Sequence, residues 1–124
     1  MTRRKFLIVD DSFTSRRLLG QILRANFSCK IIDAKEGSEG LQLMISESPD
    51  LVFLDMMMPF MNGVQVLQTM RKNTKLAMIP VIACTAVDDD SIVKKIIEMG
   101  ASHYLVKPAT ATIVKEKVSQ ILSS

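Results

Sequence analysis

Apolar residues along this chain follow two rhythms. Short runs at 6–9 (FLIV), 30–34 (KIIDA), 51–54 (LVFL), 79–84 (IPVIAC) and 104–106 (YLV) are apolar on both faces, the pattern of strands buried in a parallel sheet. Between them apolar positions recur at helical spacing: Leu19, Ile22 and Leu23; Leu41, Met44 and Ile45; Val66, Leu67 and Met70; Ile92, Val93, Ile96 and Ile97; Val114, Val118, Ile121 and Leu122. Each set predicts a helix with that face turned inward. Ser12 is placed to cap the first helix, one of Asp88, Asp89, Asp90 and Ser91 to cap the fourth, and Gly100 to end the fourth in a left-handed turn. Strict strand–helix alternation with short, right-handed crossovers predicts an α/β fold: a doubly wound, five-stranded parallel sheet with five helices. No repeat, low-complexity tract or linker divides the chain, so residues 1–124 are read as one domain.

Composition narrows the class of protein without changing that picture. A chain of 124 residues, 48% hydrophobic and 23% charged, can bury a core without disulfides or structural metal. Sixteen basic against thirteen acidic residues leave a net charge of +3, spread along the chain, with Arg3, Arg4 and Lys5 the densest run. There is no basic stripe with interleaved aromatics, so direct nucleic-acid binding is not expected. The first apolar run ends at Asp10, too short for a signal peptide, and no stretch approaches the ~18 residues of a membrane span, so no membrane insertion is expected. Cys29 and Cys84 lack CxxC spacing, and the single histidine, His103, gives them no metal-binding partner. They read as buried thiols of a cytoplasmic protein, and His103 as structural.

The candidate chemistry lies where the strands end, because ligands of such sheets bind beyond the carboxyl ends of the strands. Strand one runs into Asp10 and Asp11, strand three into Asp55, strand four into Thr85, and strand five into Lys107 and Pro108. Carboxylates crowded on one edge repel by about 4 kcal/mol per pair at ~4 Å and an effective dielectric of ~20, so a cation is expected among them. Oxygen donors without imidazole or thiolate suit Mg²⁺, which favours one or two carboxylates together with phosphate oxygens. Thr85 offers a hydroxyl and Lys107 a permanent charge to a phosphoryl group, and a carboxylate among them can act as nucleophile to give an acyl phosphate. Asp88, Asp89 and Asp90 resemble a metal cluster but read as helix caps.

The segments Ile8-Val9-Asp10-Asp11-Ser12, Leu54-Asp55 with Pro59 and Asn62-Gly63, Cys84-Thr85-Ala86, and Tyr104-Leu105-Val106-Lys107-Pro108 resemble, in order and spacing, the response-regulator receiver domain of two-component signalling, in its stand-alone chemotaxis-type form. The resemblance spans residues 5–123 and implies the flavodoxin-like receiver topology. It implies Asp55 as phosphoacceptor, with Asp11, Asp55 and the Met57 backbone carbonyl as ligands of Mg²⁺ and Asp10 acting mainly through a bound water. Thr85 and Lys107 would each contact a phosphoryl oxygen, Thr85 and Tyr104 would move inward together as a switch, and Lys107-Pro108 would be a cis peptide.

The implied partners are a histidine kinase or phosphotransfer protein as donor and an output protein on the face of helix four, strand five and helix five. The chain is expected as a monomer, with dimerisation linked to phosphorylation left open. It is expected to be a regulator with at most slow self-dephosphorylation, not an enzyme. Met57 and Val87 flank the phosphorylation site and are apolar where some relatives carry Asn and Glu, which bears on phosphoryl lifetime. Ala109 stands where relatives commonly carry a bulky apolar residue, which predicts looser packing at the start of the last helix. Met56, Met57, Met58 and Met61 read as gap-filling residues of loop and core.

Three other readings compete with this one. An aspartyl-phosphate-type phosphatase would need a second acid where Met57 stands. A nucleotide-binding fold would need a Gly-rich turn where Asp10, Asp11 and Ser12 stand. A receiver-like interaction module independent of phosphorylation is the remaining alternative.

Overall fold

In the computed structural model, which describes residues 3–123, five strands and five helices alternate: β1 (Arg4–Val9), α1 (Phe13–Asn26), β2 (Cys29–Ala34), α2 (Gly37–Glu47), β3 (Leu51–Asp55), α3 (Gly63–Lys72), β4 (Val81–Thr85), α4 (Asp90–Glu98), β5 (His103–Val106) and α5 (Ala111–Leu122). The strands form one parallel sheet in the order β2-β1-β3-β4-β5. This is the doubly wound architecture expected from the alternation of runs.

Alternation along β1 and β3 divides the core into two layers. Leu7, Val9, Val52 and Leu54 join Met44, Val66, Leu67, Met70 and Ile96 on the α2–α3–α4 side. Phe6, Ile8 and Phe53 join Leu19, Leu23, Val114 and Val118 on the α1–α5 side, where Phe6 meets Phe53 and Phe27 edge-on at 6.4 and 6.0 Å. Each such side chain, fully withdrawn from water, contributes about 1.5–3 kcal/mol before conformational entropy is set against it.

The helix ends follow local chemistry. The Ser12 side chain accepts from the Ser15 amide at 3.2 Å and starts α1. Asn62 and Gln65 form a reciprocal capping box that starts α3. Of the four candidates at α4, Asp89 is the cap, accepting from the Ser91 amide. Gly100 follows α4 with φ +112°, a conformation that costs a side-chain-bearing residue dearly. Gly63 matters for proximity: a Cβ there would lie 2.6 Å from Met56 Cα and 2.7 Å from the Asp55 carbonyl oxygen, so only glycine lets α3 start so close to the end of β3.

The structure corrects several sequence expectations. β1 starts at Arg4 instead of Phe6, extending its pairing with β2. β4 spans Val81–Thr85 instead of 79–84, because Pro80 has no amide to give a ladder; its carbonyl accepts from Val52 at the strand's margin. β2, at the sheet edge, exposes Lys30 and Asp33 and is not buried on both faces. Ile45 is exposed on α2. On α4 only Ile96 is buried, while Ile92 and Ile97 face solvent, because α4 leans on β5 at the margin of the sheet.

Candidate functional site

The carboxyl ends of β1, β3, β4 and β5 bring the expected residues to one edge. Asp10 and Asp11 follow β1, Asp55 and Thr85 are the last residues of β3 and β4, and Lys107 follows β5. Asp10, Asp55 and Thr85 are buried and Asp11 is exposed. Carboxylate oxygens of Asp10, Asp11 and Asp55 lie within 4.8 Å of one another. Lys107 Nζ stands between two of them, donating to Asp10 Oδ2 at 2.9 Å and lying 3.5 Å from Asp55 Oδ1.

Backbone amides complete the geometry. The Ser12 amide donates to Asp10 Oδ1 at 2.9 Å and the Met57 amide to Asp55 Oδ1 at 3.1 Å. Thr85 Oγ1 accepts from the Val87 amide at 3.1 Å, which fixes the oxygen and leaves its O–H free to donate. The Lys107 amide donates to the Thr85 carbonyl at 2.7 Å, tying the lysine to the end of β4. The Lys107–Pro108 bond is cis, as the resemblance implies.

Electrostatics at this edge are unbalanced. Burial pushes the Asp55 carboxyl up to about 6; the Met57 amide works against this, Asp10 adds to it, and Lys107 opposes it. Burial disfavours the Lys107 ammonium, but its hydrogen bond to Asp10 and the charges of Asp10 and Asp55 outweigh that and raise its pKa. Cys84, behind Asp55 on the neighbouring strand, is pushed up to about 12, above all by burial, and stays a thiol. Two of the three carboxylates thus share one ammonium, among oxygen donors with no thiolate. The donor set fits a hard, oxygen-seeking divalent ion such as Mg²⁺, with the exposed Asp11 open to it.

The two apolar flanking residues sit at the lip. Met57 is 76% exposed and Val87 43% exposed. Met57 is thereby no gap-filler, unlike Met56 and Met58, which are buried. Tyr104 is half-buried, its ring 4.6 Å beneath Lys117 Nζ of α5, a cation–π contact. His103 is structural in the plain sense: its Nε2 meets Gln120 Oε1 and fastens β5 to α5.

Sequence reasoning missed Arg16. This nearly buried guanidinium donates to the Asp10 backbone carbonyl at 2.8 Å and to Asp33 Oδ2 at 3.0 Å, holding the β1 turn against the end of β2. Its signal was an arginine on the stripe that also carries Leu19 and Leu23, where a charge demands a partner.

Comparison with known proteins agrees with this fold. The chemotaxis protein CheY of Pseudomonas aeruginosa is 33% identical over 117 residues, 94% of each chain. The probable chemotaxis protein CheY of Rhizobium etli is 33% identical over 120 residues, 97% of this chain and 93% of that one. The crystal structure of a putative response regulator from Chloroflexus aurantiacus superposes with a TM-score of 0.92 at 28% identity, covering 99% of this chain and 100% of that one. Among the described residues no helix is long and apolar enough to cross a membrane. Residues 6–119 match the family described as the response regulator receiver domain, and with the acids, threonine and lysine gathered on one edge of a 2-1-3-4-5 sheet, the chain belongs to that family.

Proposed function

We propose that the chain is a phosphoacceptor switch, one receiver domain over residues 1–124, that takes a phosphoryl group onto Asp55 from the phosphohistidine of a histidine kinase or phosphotransfer protein. An Asp55 carboxylate oxygen attacks phosphorus in line, the bond from phosphorus to the histidine nitrogen breaks, and the imidazole leaves with the bonding pair. The observation that carries this reading is Lys107 Nζ poised between Asp10 and Asp55, at 2.9 and 3.5 Å, beside the free O–H of Thr85. Lys107 and Thr85 then each hold a phosphoryl oxygen where charge accumulates. Asp11, Asp55 and the Met57 carbonyl would hold Mg²⁺, with Asp10 acting through water. Bound there, the ion neutralises phosphoryl and carboxylate charge.

The downstream step is a population shift. Thr85, drawn to the phosphoryl group, vacates space that Tyr104 enters, reshaping the α4–β5–α5 face for an output protein. The same reading makes the chain a cytoplasmic regulator, monomeric before phosphorylation. The test is intact mass before and after acetyl phosphate with Mg²⁺. One phosphoryl mass is expected on the parent and none on Asp55→Asn; equal labelling of the variant overturns the assignment.

A further inference from the structure

Beside the acidic edge, between α1 and the β5–α5 connection, lies a cleft of about 360 Å³. Leu18, Leu19, Leu105 and Ala109 line it, and Lys107 and Asp10 close one end. Leu19 and Leu105 are buried in the core, which makes that wall firm, and the small side chain of Ala109 leaves the space open. The rim on α1 carries the hydroxyls of Thr14 and Ser15, neither of which makes a hydrogen bond among the described residues. Mostly apolar walls with a few convergent polar groups are the composition of small-molecule sites, and the volume falls within their ~300–1,000 Å³ range.

The polar end selects the chemistry of an occupant. It presents one ammonium and one carboxylate already paired at 2.9 Å, so an anion meets Asp10 and a cation meets Lys107. The spare groups are hydroxyl donors. We propose that this cleft is a second binding site, for a compact, neutral, apolar molecule bearing one carbonyl-type acceptor, and that its occupancy opposes phosphorylation of Asp55. The second half rests on the phosphoacceptor reading. Lys107 faces both places: an occupant excludes water from the Asp10–Lys107 pair and strengthens it, whereas a phosphoryl group draws the same ammonium toward Asp55.

Benzamide is a suitable probe, titrated into the full chain without phosphodonor and followed by amide chemical shifts. Saturable binding is expected with a dissociation constant on the order of 1 mM, as befits a fragment, with shifts centred on Leu18, Leu19 and Ala109. Ala109→Phe, which fills the cleft, and Leu18→Ser, at a position already 42% exposed and therefore tolerant, should each weaken binding at least tenfold. Saturating benzamide should slow labelling by acetyl phosphate at least threefold in the parent and leave Ala109→Phe unaffected. Absence of saturable binding, or binding unchanged in both variants, overturns the site. Binding with an unchanged labelling rate overturns the coupling. If the parent takes no label at all, the phosphoacceptor reading fails, and the titration still decides the cleft.

Discussion

Asp55→Asn should make the protein more stable at neutral pH while removing its chemistry. The Asp55 carboxyl, 6% exposed, is raised from 3.8 to about 6 in the folded chain, chiefly by burial. The folded state therefore holds this proton more tightly than the unfolded state, and stability falls as pH rises between about 4 and 6. Below pH 4 both states are protonated and the penalty is absent; above pH 6 it is fully present. A shift of that size corresponds to about 3 kcal/mol at ~1.4 kcal/mol per unit, and hydration through the exposed Asp11 side brings the expectation to ~1–3 kcal/mol. Asparagine keeps the shape of the neutral acid and carries no charge, so it escapes the penalty. At ~4 °C per kcal/mol for a chain of this size, thermal unfolding at pH 7.5 should shift up by roughly 4 to 12 °C. Melting both proteins from pH 3.5 to 8 measures the difference directly, and the two curves should converge at the acid end. Mg²⁺ at ten times its dissociation constant should then stabilise the parent by about 1.4 kcal/mol and narrow the gap. A variant less stable than the parent at pH 7.5, or a difference independent of pH, refutes the reasoning.

Two further expectations concern the metal and the phosphoryl lifetime. Asp11→Ala removes an exposed carboxylate from the cluster, so it should leave the melting temperature within about 2 °C while weakening Mg²⁺ at least tenfold by titration; unchanged affinity removes Asp11 from the ligand set. Met57 and Val87, apolar at the lip, cannot orient an attacking water, so Met57→Asn with Val87→Glu should speed decay of the phosphorylated protein about tenfold or more, ~1.4 kcal/mol of barrier. Decay as slow as the parent's, measured after donor removal with Mg²⁺ present, shows that these positions do not control water.

The residues of the edge were legible because a parallel sheet places all carboxyl ends of its strands together. Reading Asp10, Asp55, Thr85 and Lys107 as neighbours required each strand's end to within one residue, and that tolerance absorbed the end of β4 at Thr85 instead of Cys84, while its misplaced start at residue 79 left the carboxyl edge untouched. What sequence could not supply was which face each helix covers. Ile92, Val93, Ile96 and Ile97 share a stripe, yet periodicity reports amphipathicity and not the width of sheet available to cover it, so Ile92 and Ile97 remain in water. Arg16 was hidden for the opposite reason: its partners are the Asp10 carbonyl, just past β1, and Asp33 of β2. The contact of Lys117 with Tyr104 likewise depends on how α5 lies over β5.

The bond from Lys107 to Asp10 joins residues 97 positions apart. Such a contact closes late, since a long loop must lose its freedom before the bond returns anything. A chain emerging from the ribosome carries the acids that follow β1 and end β3 well before the lysine arrives, and during that interval Asp10 lacks the ammonium that pairs with it in the folded chain. On the proposed phosphoacceptor reading, the ammonium that would hold a phosphoryl oxygen arrives only with the last strand, so a half-made chain would lack it. On that reading the wiring of the sheet would double as a check that folding has run to completion.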